Sequence, residues 1–109
     1  MATHRIPDSI PNVIIDDLKI ERRAQQNKFG DQAGIPSGTS KVRYHNTLGE
    51  FRSSCDRATE KGNLTWRHIL LEEVYEALVE ETPDKLRAEL IQCAAVCIAW
   101  IEALDKRRK

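Results

Sequence analysis

A chain of 109 residues with 40% hydrophobic and 31% charged residues has the size and make-up of one globular domain. Seventeen basic residues balance seventeen acidic ones, so no whole-chain charge draws it to nucleic acid or an anionic membrane, and neither is an expected partner. The longest apolar stretch, Leu90 to Ile101, contains Gln92 and is too short to span a bilayer.

Residues 1–11 carry Pro7 and Pro11 and are expected to form a flexible arm ahead of a single helical domain over 12–109. From about Asn12, the residues Val13, Ile14, Leu18 and Ile20 recur at helical spacing, and Gly30 is a plausible stop. Gly30 to Ser40 holds three glycines and a proline and reads as a loop. Arg43 to Gly62 predicts a second helix with Leu48, Phe51, Cys55 and Ala58 turned inward.

Thr65 to Glu81 predicts a third helix, capped by Thr65, with an apolar stripe through Trp66, Leu70, Val74, Ala77 and Leu78. His68, in its first turn, is expected at the surface. Thr82-Pro83-Asp84 restarts the chain, because Pro is tolerated at the first helical position and Asp suits the positive end. The fourth helix continues to about Lys106, and the basic run Lys106 to Lys109 suits a helix C-terminus. The class is all-α. Three cysteines make no disulfide framework, Cys93 and Cys97 read as reduced structural thiols, and a cytoplasmic location is the expectation.

Between Leu90 and Ile101 the fourth helix is apolar on nearly every side. Such a helix must be covered all round, and a chain this short covers only part of it. A homodimer is the expectation; the alternative is a monomer whose arm and loop cover the remainder.

Four acids interrupt these apolar patterns. Glu73 and Glu76 share one side of the third helix with Ile69 between them, and Glu89 lies on the line of Cys93, Val96 and Trp100 in the fourth. A carboxylate on an apolar stripe is costly unless it is paired or holds a cation. Two such helices face to face would converge hard oxygen ligands on a divalent ion. A solvated acidic face is the competing reading. It suits Glu72, Glu80 and Glu81 well, Glu73 less well and Glu89 poorly.

The run Glu72-Glu73-x-x-Glu76, followed by Glu89-x-x-Gln92 at the opening of an apolar helix, resembles the MazG-like all-α nucleoside triphosphate pyrophosphohydrolases. Their motif is E-x-x-E, a spacer, then E-x-x-D. The text from Leu86 to Leu104 is similar to the short MazG-like proteins of actinobacteria and their phages. Glu21 to Gly30 is similar to the first helix of that subgroup. The likeness is strong over residues 64–106, weaker over 17–32, and absent over 1–12.

The resemblance implies a four-helix MazG-like bundle, packed as a homodimer, that hydrolyses a nucleoside triphosphate to monophosphate and pyrophosphate. It implies Mg²⁺, with Mn²⁺ possible, held by Glu73, Glu76, Glu89 and Gln92. Glu72 and Glu73 take the catalytic roles, Glu72 as an outer-shell group or as the base for water. Arg22, Arg23, Lys28, Arg43, Arg52 and Arg67 are available to a triphosphate, in an order the sequence does not rank; Arg22 and Lys28 are the expected contacts, with Trp100 as a platform for the base. Gln92 departs from the family's Asp and removes one negative charge. A catalytically weak nucleotide-binding or protein-interaction dimer is therefore the alternative.

Overall fold

A computed structural model describes residues 10–107, and among them four α-helices and no strand. α1 spans Asn12–Phe29, α2 Val42–Glu60, α3 Trp66–Leu78 and α4 Pro83–Arg107. Apart from Ile10 and Pro11, the expected N-terminal arm lies outside the described residues. The chain divides after Pro36 into two compact units, the first holding α1 and the second α2, α3 and α4.

In the first unit, α1 stops at Gly30, whose φ of 67° is the left-handed backbone that glycine adopts without a Cβ penalty. Its N–H still reaches Gln26 O at 2.8 Å. Beyond it, the Asp31 carboxylate accepts the Ala33 N–H at 3.0 Å and turns the chain away.

In the second unit α3 lies between α2 and α4 and packs against both. The pairs Phe51–Tyr75, Arg52–Glu76 and Cys55–His68 run antiparallel along α2 and α3. The pair Trp66–Trp100 sets the start of α3 against the end of α4, so that hairpin is antiparallel too. Leu48, Cys55, Ala58 and Ala77 are buried, and Phe51 stacks on Tyr75 with centroids 5.0 Å apart. The inward face of α2 is the one its spacing predicts.

The helix ends have identifiable causes. α2 stops at Glu60 rather than Gly62, because Gly62 N–H bonds Thr59 O and Asn63 N–H bonds Ala58 O, the double turn-back that closes a helix through a left-handed glycine. Thr65 caps α3: its hydroxyl accepts the His68 N–H, while the His68 ring accepts the Thr65 N–H at 3.1 Å. That reciprocal box gives His68 its first-turn role.

α3 ends at Leu78, three residues short of the expected Glu81. Ser40, with a positive φ of 68°, donates its N–H to Leu78 O at 2.8 Å and its hydroxyl to Glu80 O at 3.1 Å. Carbonyls that would have continued the helix are thereby satisfied from the loop. Pro83 also disfavours a helical Thr82.

α4 contains no fully buried residue, and Leu90, Ile91, Ile101 and Leu104 are all exposed. Within the second unit its apolar circumference is not covered, because its chief neighbour there is α3 alone. No helix among the described residues is long and apolar enough to cross a membrane.

Candidate functional site

The antiparallel α3–α4 hairpin is what brings the acids together. Glu73 and Glu76 stand one turn apart on α3, and Glu89 approaches from the second turn of α4. One carboxylate oxygen from each of the three lies within 4.8 Å of the others. All three residues are half-buried, as are Leu86, Cys93, Val96 and Trp100 along the same line of α4.

Two of these acids are poorly provided for. Glu73 Oε2 and Glu89 Oε2 are buried and have no hydrogen-bond partner. Burial pushes the Glu73 carboxyl above its usual range, and Glu76, Glu89 and Glu72 push it further. Burial likewise raises Glu89, followed by the charges of Glu76 and Glu80, against a small opposing pull from Arg52. The arrangement concentrates negative charge that the protein's own donors leave largely uncompensated.

Arg52 is the cation beside the cluster. Its Nη2 lies 3.5 Å from Glu76 Oε1, with the arginine side chain 53% exposed and the glutamate 20%. It came from six available cations, and only the antiparallel pairing of α2 with α3 selects it. Arg22 and Lys28 lie on α1, in the first unit. Arg22 donates to Gln25 Oε1 at 2.7 Å, and Lys28 sits 5.1 Å from the Phe29 ring centroid. Both are exposed.

Glu72 occupies the other flank of α3. It is half-buried near Cys55, on the α2 side, rather than on a solvated face. Burial raises its carboxyl, Glu76 raises it next, and Arg52 lowers it. Cys55 donates its thiol to His68 O at 3.2 Å and is raised by burial and then by the Glu72 charge. Cys93, facing Glu73 from α4, is raised by burial and then by Glu73. Cys55, Cys93 and Cys97 are free, the first buried, the second half-buried and the third exposed.

Gln92, three residues beyond Glu89, is exposed. Trp100 stacks against Trp66 with centroids 6.5 Å apart and planes 12° from parallel. It lies eleven residues past Glu89, about 16 Å along the helix, so it stands apart from the acids. The partnership of Trp66 with Trp100 depends on the hairpin register.

Such a cluster can bind a cation, hold a shared proton or remain a strained acidic patch. Against protein-family models, curated proteins and solved structures alike, the chain has no match.

Proposed function

We propose that the chain is a Mg²⁺-dependent nucleoside triphosphate pyrophosphohydrolase of the MazG-like type, working as a cytoplasmic homodimer. The observation that carries this reading is the pair of buried, unpartnered oxygens on Glu73 and Glu89 within a three-carboxylate cluster. Like charges held together out of water need a compensating cation. Two Mg²⁺–oxygen bonds of about 2.1 Å span at most about 4.2 Å, so oxygens within 4.8 Å stand near the separation that ion, or Mn²⁺, requires.

Glu73, Glu76 and Glu89 would hold the ion, with the amide oxygen of Gln92 as an uncharged fourth donor. When bound, the ion supplies neutralisation of charge on the phosphate oxygens and leaving pyrophosphate. Glu72 orients the attacking water or receives its proton; the raised affinity of its carboxyl for a proton suits that task. Arg52, already at Glu76, is the cation placed to meet an anionic substrate at this site.

The test is release of pyrophosphate from a panel of ribo- and deoxynucleoside triphosphates with Mg²⁺ or Mn²⁺. Glu73→Gln and Glu89→Gln should each abolish release while keeping the helical content. One observation favours a second reading: Gln92 is both uncharged and exposed. No release from any nucleotide, combined with micromolar nucleotide affinity, would replace the enzyme with a catalytically weak binding or interaction module.

A further inference from the structure

A cleft of about 510 Å³ opens between the start of α3 and the end of α4. Trp66 and Trp100 form part of its wall, with Thr65, Ile69, Arg67 and Arg107 around them. No acidic side chain among the described residues lines it. Arg67 and Arg107 are exposed, and neither has an ion-pair partner among the described residues. None of Glu73, Glu76 and Glu89 borders this cleft, so the two places on the α3–α4 hairpin are lined by different charged groups.

The chemistry of the lining narrows the ligand. Two near-parallel indoles offer flat apolar faces, which favour a planar ring. Two uncommitted guanidinium groups favour phosphate or carboxylate, which they can grip through paired N–H donors. The volume falls in the range of small-molecule sites, about 300–1,000 Å³, and exceeds that of a lone ring. We propose that this cleft binds a planar aromatic ring bearing a phosphate or carboxylate, with the ring against Trp66 and Trp100 and the anion against Arg67 and Arg107. This goes beyond the pyrophosphohydrolase reading and does not need its metal.

The chain contains only two tryptophans, and both border the cleft, so indole emission reports on this place alone. The experiment titrates the full chain in EDTA with adenosine monophosphate, 1-naphthoate, adenosine and inorganic phosphate. At least one of the two aromatic anions should change the emission saturably, about tenfold tighter than adenosine or phosphate alone. Which of them binds distinguishes phosphate from carboxylate recognition. Arg67→Ala and Arg107→Ala should each weaken binding about three- to tenfold, and Glu73→Gln should leave it unchanged.

A flat response to every probe would overturn the proposal. So would equal affinity for adenosine and its monophosphate with no response to naphthoate, or affinity unmoved in the double arginine variant. Nucleotide binding that appears only with Mn²⁺ and vanishes in Glu73→Gln would overturn it while leaving the acid-cluster reading intact.

Discussion

Arg52 on α2 reaches Glu76 on α3 across 3.5 Å, and this is the one ion pair among the described residues. An exposed arginine at that distance contributes little as an isolated pair, about 0–1 kcal/mol. Its place matters more than its strength. The same guanidinium opposes the upward shifts of Glu72 and Glu89, so it is a partial counter-charge for the whole cluster. Arg52→Gln should therefore lower stability by about 0.5–1 kcal/mol near neutral pH and by less as the pH falls and Glu72 and Glu89, both raised, take up protons. Urea unfolding at neutral and at mildly acidic pH checks this. An equal loss at both would mean that Arg52 acts through packing alone.

The acid cluster should give the protein an uncommon pH dependence. Glu73 and Glu89 are raised above the ordinary glutamate range, by burial first and by neighbouring carboxylates next. A raised carboxyl binds its proton more tightly in the folded than in the unfolded chain. Between the unfolded and folded values the native state carries the extra proton, so unfolding free energy falls as pH rises through that window. Above the folded value the full penalty stands. Metal-free protein should accordingly melt at a higher temperature at pH of about 5 than at about 8. Glu73→Gln and Glu89→Gln should flatten that slope and should be more stable than the parent at the higher pH. Thermal melts of the three proteins in EDTA decide it, and an unchanged slope in both variants would remove the cluster as its cause.

What the sequence makes legible here is whatever depends on local spacing. The apolar faces of α2 and α3, the Thr65 cap and the restart at Pro83 all follow from residues within one or two turns. The convergence of Glu73, Glu76 and Glu89 is also readable, because a short turn between two helices forces them antiparallel and sets acids one turn apart against an acid near the next helix start. Features set by distant partners are not readable. Ser40 shortens α3 from thirty-eight residues upstream of Leu78, and no local signal at Glu80 or Glu81 announces it. Arg52 becomes the cluster's counter-charge only through the register of α2 on α3. Glu72 reads as solvated from its own neighbours, yet α2 brings Cys55 against it.

The start of α3 depends on a reciprocal contact and should be correspondingly sensitive. Thr65 accepts the His68 N–H through its hydroxyl, and the His68 ring accepts the Thr65 N–H in return. Thr65→Ala breaks both the cap and the setting of the imidazole, at a cost of about 0.5–2 kcal/mol. His68→Ala removes only the return bond and should cost less. His68→Gln, whose amide oxygen can accept the same N–H, should recover most of that smaller loss. Chemical denaturation of the three variants orders them, and Thr65→Ala as stable as the parent would show that packing alone fixes this helix start.

The exposed side of α4 leaves large apolar side chains uncovered within the second unit. Leu90 is 52% exposed, Ile91 56% and Leu104 46%, on a helix with no fully buried residue. Apolar area of that kind gains about 25 cal/mol per Å² on being covered, and association through a shared face would cover it in two copies at once. Ile91 lies two positions from Glu89, on a different side of the helix, so a change there leaves the acid cluster intact. Ile91→Glu should place two like charges near the shared face and weaken self-association by about 1.4–2.8 kcal/mol, a ten- to hundredfold rise in dissociation constant. Sedimentation equilibrium at several protein concentrations measures this directly. A parent chain that stays monomeric at tens of micromolar would leave the apolar face to some other covering. Pyrophosphate release from that monomer would further show that one chain carries the whole site.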